Sequence, residues 1–199
     1  MIQLKRIVDI VFSLSALIFM FPALIIIGSL LKLYGGPAIF RQERVGRGGT
    51  PFRIFKFRSM VVGAEKQGAS VTAENDPRIT PLGRWLRKTK IDELPELFNV
   101  LRGDMSIVGP RPEVAPYVAL WPEDDRNTIL SVRPGISDYA TLYYHDEQAV
   151  LGVSDDPEKS YVEQILPHKV RLYNKYLRER NLGLDLRIIL GTLARMAGF

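Results

Sequence analysis

Apolar residues are concentrated at the front of this chain. Residues 7–33, IVDIVFSLSALIFMFPALIIIGSLLKL, form an almost unbroken hydrophobic run that no later segment approaches. As one straight helix the run would measure about 40 Å, more than the roughly 30 Å hydrocarbon core of a bilayer. The pattern then turns to alternation. Residues 37–43 (PAIFRQE) and 52–58 (FRIFKFR) predict a hairpin around Gly46, Gly48 and Gly49. In the second strand Phe52, Ile54, Lys56 and Arg58 share one face, and Arg53, Phe55 and Phe57 share the other, so Lys56 and Arg58 point the same way. Residues 63–80 are polar and read as a loop. Leu94, Leu97, Phe98 and Leu101 then fall at i, i+3, i+4 and i+7, which predicts a helix with one buried stripe. Residues 103–114 and 132–137 are dense in Gly, Pro and Arg, as structured functional loops are. Residues 158–181 read as helix, interrupted or started at Pro167, and 182–199 as a short apolar helix for the core or a membrane interface.

Two readings of the apolar run stand side by side. Its length fits a tilted transmembrane span. Its flanks fit something else: Lys5 and Arg6 precede it, Lys32, Arg41, Arg44 and Arg47 follow it, and positive-inside bias draws both ends to the cytoplasm. Pro22, near the middle, removes a backbone hydrogen bond and clashes with the carbonyl of Ile18. A helix that enters, bends at Pro22 and leaves by the same face satisfies both observations. Residues 31–34 offer no small-residue cleavage site.

Charge and composition sharpen the picture. The chain has 199 residues, enough for one domain with a real core. It has no cysteine, so neither disulfides nor cysteine-bound metal hold it together. Residues 1–60 carry nine Lys or Arg against Asp9 and Glu43, while the remainder is slightly acidic. A basic front beside a hydrophobic segment suits an anionic membrane surface or anionic substrates. No DNA-binding motif accompanies it, so nucleic acid is not an expected partner.

The segment KIDELPELFNV, residues 90–100, sets Asp92 and Glu93 where the predicted helix begins, with Pro95 tolerated in its first turn. One reading is structural: Asp92 caps the helix and Glu93 complements its dipole. The other is chemical. Asp92, Glu96 and Asn99, with Glu93 beside them, fall opposite Leu94, and Arg84, Arg87, Lys88 and Lys90 lie just upstream. Such a strip suits a divalent cation bridging to phosphates, and a carboxylate there could attack phosphorus. His145 and His168 are isolated and read as surface residues; there is no dinucleotide signature and no P-loop.

Taken in order, KRIVDIVFSL, PAIFRQERVGRGGTPFRIFKFRSM, NDPRITPLGRWLRKTKIDELPELFNVLRGDMSIVGPRP and VRPGI resemble the bacterial sugar transferase family, over about residues 5–137. The resemblance implies a monotopic phosphoglycosyl transferase of α+β class. Its mostly helical single domain would comprise a re-entrant membrane helix over 1–36, broken at Pro22, and a cytoplasmic catalytic domain over 37–199. A small β-hairpin and interfacial amphipathic helices complete that expectation, at a bacterial inner membrane. The implied reaction moves a phosphosugar from a UDP-sugar to polyprenol phosphate (undecaprenyl phosphate), releasing UMP, with Mg2+, as the first membrane step of glycan assembly. Asp92 is implied as the nucleophile of a covalent aspartyl–phosphosugar intermediate. Glu93 would assist metal binding or acceptor deprotonation, and both are implied Mg2+ ligands. Lys56, Arg87 and Arg111 match the family's phosphate and substrate contacts; Arg58 and Arg133 extend that set from the local reading. The chain's length matches the small members, and a homo-oligomer is left open.

Three positions depart from the family pattern. Phe21 precedes Pro22 where relatives often have Ser, Glu96 stands where Gln is usual, and SDYATLYYHDE replaces TGWAQV after VRPGI. The last is expected to bear on sugar recognition or packing. Rival expectations are a membrane-surface nucleotide-sugar hydrolase or phosphatase using the same aspartate, and a non-catalytic scaffold of a glycan pathway.

Overall fold

The computed structural model describes residues 2–66, 71–73, 76–140, 151, 152 and 154–196. Helix α1 (Ile2–Leu33) contains Pro22. The expected break is therefore not an interruption: helix continues on both sides of the proline, a tolerance common in membrane-class helices. Its buried positions, Asp9, Ser13, Leu17, Ile27 and Leu31, fall on one face. Apolar side chains cover the rest, with Phe19 87% exposed near the proline and Leu33 83% exposed at the helix end.

Both ends of α1 are fastened to the rest of the protein. Lys5 Nζ lies 2.6 Å from Asp185 Oδ2, and Arg6 donates to the carbonyls of Val100 (2.7 Å) and Leu101 (3.1 Å). Asp9 accepts from Ser106 Oγ at 2.8 Å and from the Ile107 N–H at 3.1 Å, which explains a buried acid in an apolar run. At the far end Arg58 Nη2 donates to the Leu31 carbonyl at 3.0 Å, and Ile27 and Leu31 pack with Phe57 and Leu86.

The hairpin forms as expected. Strands β1 (Ile39–Val45) and β2 (Pro51–Phe57) pair antiparallel, with Phe40 opposite Lys56. Helix α2 (Pro81–Lys88) begins at Thr80, whose hydroxyl accepts from the Gly83 N–H at 2.9 Å. Gly83 is pressed against the chain just past β2: a Cβ there would stand 1.8 Å from the Ser59 carbonyl oxygen.

Helix α3 (Glu96–Arg102) departs from the expected stripe. Its buried residues are Glu96, Leu97, Asn99 and Val100, and Phe98 is exposed. The reason is the open edge of β2. Asn99 Oδ1 accepts from the Phe55 N–H at 3.0 Å and Nδ2 donates to the Arg53 carbonyl at 2.8 Å, so one amide stands in for a neighbouring strand. Satisfying that edge turns a polar face inward.

A second two-stranded sheet was not expected from the sequence. Strands β3 (Ser106–Val108) and β4 (Gly135–Ser137) run parallel, and a Cβ on Gly135 would lie 2.1 Å from the Gly109 nitrogen. Helices α4 (Ala115–Ala119) and α5 (Glu123–Ile129) connect them. Helix α6 (Pro157–Ser160) passes through a π turn, Tyr161–Ile165, into α7 (Leu166–Glu179). Pro167 cannot donate to the Glu163 carbonyl, and the helix widens just before it, with the Leu166 N–H reaching the Tyr161 carbonyl. Helix α8 (Leu182–Met196) buries Ile188 and exposes Leu182, Leu186, Leu190 and Leu193 along one stripe. His145 and much of the divergent stretch after β4 lie outside the described residues; His168 is half-buried on α7.

Candidate active site

The acidic pair sits in its own turn. Lys90 adopts the left-handed conformation (φ 57°), uncommon for a residue with a side chain, and starts a 3-10 turn, Ile91–Glu93. Helix α3 begins only later, with Pro95 at its cap position. The expectation that Asp92 caps this helix is therefore corrected. Asp92 is buried, and its Oδ1 has no hydrogen-bond partner. An orphaned buried carboxylate oxygen costs stability and gives no structural return, which is the pattern of a functional group.

Glu93 has the opposite surroundings. Lys56 Nζ lies 3.0 Å from its Oε1, Arg111 Nη2 donates to the same oxygen, and Arg111 Nη1 stands 3.4 Å from Oε2. Arg111 is itself held by the Ile136 carbonyl (3.1 Å), and its N–H by Asp138 Oδ2 (3.1 Å). Strand β4 and the residue after it thus aim the guanidinium. Burial pushes the Glu93 carboxyl up, but Arg111 and Lys56 outweigh it and hold the group well below the usual range. Asp92 moves the other way: burial first, then the neighbouring Glu93 charge, raise it against Lys56, Arg87 and Lys90. Two adjacent carboxylates driven apart in this way are suited to different roles.

Glu96 forms a third acidic position. Its Oε1 lies 3.2 Å from Lys56 Nζ, within ion-pair range but off the hydrogen-bond direction, so neither of its oxygens has an aligned donor. Burial pushes its carboxyl up to about 7 despite the pull of Lys56.

Lys56, Arg87, Asp92, Glu93 and Arg111 all line one cavity of about 1450 Å3. Arg87 reaches it from α2, its Nη1 3.4 Å from Ser59 Oγ. Arg58 also lines it, although its guanidinium is tied to α1 through the Leu31 carbonyl. Arg133 is placed elsewhere: its Nε donates to the Gly103 carbonyl at 2.8 Å, and it is not on the cavity wall. Sequence reasoning missed another charged group on that wall. Glu113 is buried between Lys169 Nζ (3.0 Å), Tyr161 Oη (2.6 Å) and, at 3.6 Å, Arg44 Nη1. The signal available was Lys169, a cation amid the buried Leu166, Val170 and Tyr173 of α7.

Among the described residues no three acidic or histidine side chains converge into a metal cage. Magnesium bound with a diphosphate commonly takes only one or two carboxylates and leaves the remaining positions to phosphate and water. The Asp92–Glu93 pair supplies that number of carboxylates, and the buried Asp92 Oδ1 makes no hydrogen bond that an ion would have to displace.

A carboxylate pair among cations, beside an apolar helix, has the chemistry of a site for phosphorylated substrates at an apolar surface. The chain matches the bacterial sugar transferase family over residues 1–198, and it belongs to that family. Among its relatives is the UDP-N-acetylgalactosamine-undecaprenyl-phosphate N-acetylgalactosaminephosphotransferase of Aeromonas hydrophila, 37% identical over 193 residues. The UDP-glucose:undecaprenyl-phosphate glucose-1-phosphate transferase of Escherichia coli (strain K12) is 36% identical over 193 residues. Each alignment covers 96% of this chain, which spans only 43% and 39% of those two relatives' lengths. The exopolysaccharide production protein PSS of Rhizobium leguminosarum bv. phaseoli is 36% identical over 211 residues, 98% of each chain.

Proposed function

We propose that this protein is a phosphoglycosyl transferase that moves a phosphosugar from a UDP-sugar to a membrane polyprenol phosphate, undecaprenyl phosphate in a bacterium, and releases UMP. The observation that carries the reading is Asp92, buried with an unpartnered oxygen on a cavity that also presents Lys56, Arg87 and Arg111. In the proposed reaction an Asp92 oxygen attacks the β-phosphorus of the donor. The bond from that phosphorus to the bridging oxygen breaks, and its electron pair leaves on UMP. A phosphate oxygen of the lipid then attacks the same phosphorus, forming a pyrophosphate and restoring the Asp92 carboxylate. Lys56, Arg87 and Arg111 offset the charge of a diphosphate meeting two further anions. Glu93, kept ionised, holds Lys56 and Arg111 in place, and with Asp92 it would hold Mg2+. Bound there, Mg2+ supplies further neutralisation of the diphosphate. The names of the Aeromonas and Escherichia relatives support this donor and acceptor class. The Rhizobium relative's name supports a role in exopolysaccharide production.

The arrangement of α1 supports a monotopic protein. Its two ends are fastened to one domain, and between them exposed apolar residues such as Ile18, Phe19, Phe21 and Ile26 flank Pro22. A helix crossing the bilayer could not return both ends to the same water-exposed domain. We therefore assign 1–36 as a re-entrant segment with its apex near Pro22, and 37–199 as the catalytic unit at the cytoplasmic face of the inner membrane. The exposed leucines of α8 would rest in the interface.

The test is UMP release by purified protein with Mg2+ and a panel of UDP-sugars, with and without undecaprenyl phosphate. The full reaction is expected to require the lipid, and Asp92→Asn is expected to lower it at least about a thousandfold and to abolish radiolabel trapped from the donor sugar phosphate. Sugar phosphate freed without lipid would establish a hydrolase instead. Full activity of Asp92→Asn would end the proposed mechanism.

A further inference from the structure

Glu113 lines the same cavity and has no part in the chemistry above. It follows Arg111 by two residues, and its partners come from the far end of the chain. The π turn Tyr161–Ile165, formed just before Pro167, inserts one extra residue into the helix. Residues seven apart share a face of a regular α-helix. The insertion stretches that spacing to eight, so Tyr161 and Lys169 come into line. Lys169 Nζ lies 3.1 Å from Tyr161 Oη, and the two donate to Glu113 Oε1 at 3.0 and 2.6 Å. Burial pushes the Glu113 carboxyl up, but Lys169 and Arg44 outweigh it and hold it below the usual range.

As a fastening alone this trio is a costly choice, because a buried ion pair commonly gains no stability over apolar packing. It also leaves an oxygen over. Glu113 Oε2 accepts no hydrogen bond among the described residues; Arg44 Nη1, at 3.6 Å, donates instead to the Pro112 carbonyl at 3.2 Å. Beside it the rings of Tyr117 and Tyr161, 5.0 Å apart, supply apolar surface on the cavity wall. An ionised acceptor next to aromatic rings suits a polyhydroxylated ring, whose hydroxyls donate while its C–H groups rest on apolar surface. We infer that Glu113 Oε2 reads the sugar of the nucleotide donor by accepting from one of its hydroxyls, with Lys169 and Tyr161 as positioning residues. This rests on the transferase reading and adds which wall meets the sugar. The sugar is joined to the β-phosphate itself, whereas the ribose lies one phosphate further off. Glu113 stands at most about 7 Å along the chain from Arg111, so a β-phosphate at Arg111 brings the sugar nearer this wall than the ribose.

The experiment separates sugar from nucleotide. Glu113→Gln keeps the shape and removes the charge. It is expected to lower kcat/KM for the preferred UDP-sugar by about tenfold or more, and to leave inhibition by UDP, which has no sugar, within about twofold of wild type. Among donors that each lack one sugar hydroxyl, one is expected to be slow with the wild-type protein and no slower with Glu113→Gln, as a double-mutant cycle requires. Tyr161→Phe leaves Lys169 on the carboxylate and is expected to act in the same direction by about threefold, so it decides the matter if Glu113→Gln does not fold. UDP inhibition weakened as much as donor use would overturn the sugar contact, since the trio would then hold Arg111 or meet the ribose. Losses that simply add with every hydroxyl-deficient donor, or normal donor use by both variants, would overturn it too and leave the transferase intact. Absence of UMP release from any UDP-sugar by the wild-type protein would instead remove the transferase reading, and the sugar contact with it.

Discussion

At the residue scale, Lys56 separates the acids around it. It lies within ion-pair distance of both Glu93 and Glu96, but only Glu93 also has the Arg111 fork. Glu93 stays ionised and Glu96 is raised to about 7 from an ordinary 4.5. A carboxyl raised on folding binds its proton more tightly in the folded chain. Its contribution is complete below about pH 4.5 and is lost as pH climbs through 7. Above that, the fold carries a buried, poorly aligned charge. Glu96→Gln removes the charge and keeps the shape, so it is expected to leave the melting temperature unchanged at pH 5 and to raise it by about 5 °C at pH 8. Thermal unfolding at the two pH values checks the sign; equal shifts at both would mean that Glu96 does not change its ionisation in that window. The sequence made Asp92 and Glu93 legible because a carboxylate pair beside a basic run is unusual, and the family resemblance added Lys56, Arg87 and Arg111 to them. It did not reveal that Arg133 turns to the Gly103 carbonyl or that Arg58 is tied to the end of α1. Those assignments depend on where loop carbonyls come to rest, which alternation along a strand cannot specify.

At the element scale, the site depends on short pieces pressed together without side chains between them. The contact of Gly83 with Ser59 lets α2 approach the end of β2 and carries Arg87 to the cavity. Gly83→Ala would set a methyl 1.8 Å from a backbone oxygen, so α2 must move. The expected cost is about 2 kcal/mol or more of stability, measured by denaturant unfolding in micelles, with a larger loss of activity than the unfolded fraction accounts for. Wild-type stability and turnover in that variant would show that the approach of α2 is not what positions Arg87. The elements themselves were unevenly legible. The apolar helix and the hairpin follow from simple periodicity, and both are present. Helix α3 was expected in the right place with the wrong side inward, because Asn99 serves the β2 edge, a demand set by a strand over forty residues away. The parallel β3–β4 pair was missed for a related reason: three residues per strand carry too little pattern to be read, and Gly109 and Gly135 permit a contact that only the folded chain creates.

At the scale of the whole molecule, the decisive question is which side of the membrane the two ends of α1 occupy. The helix is long and apolar enough to span a bilayer, and length alone favours that outcome. Charge and packing oppose it. Spanning would require Lys5 to leave Asp185, Arg6 to leave the carbonyls that end α3, and Asp9 to leave Ser106 and the Ile107 N–H, or else would require Arg58 to release Leu31. An isolated buried charge or unpaired guanidinium costs several kcal/mol, so severing either end is the more expensive arrangement. Cysteine labelling tests this cleanly because the chain has no cysteine of its own. Single variants Gln3→Cys and Tyr34→Cys report positions just inside and just past α1, and both native side chains are exposed. In intact spheroplasts a membrane-impermeant maleimide is expected to label neither variant, and after lysis to label both. Labelling of one variant from outside would make α1 a span and would detach it from the domain it is packed against here. The absence of labelling at both ends would fix the carboxylate pair on the cytoplasmic face, which is the placement that the proposed water-soluble donor and bilayer-bound acceptor jointly require.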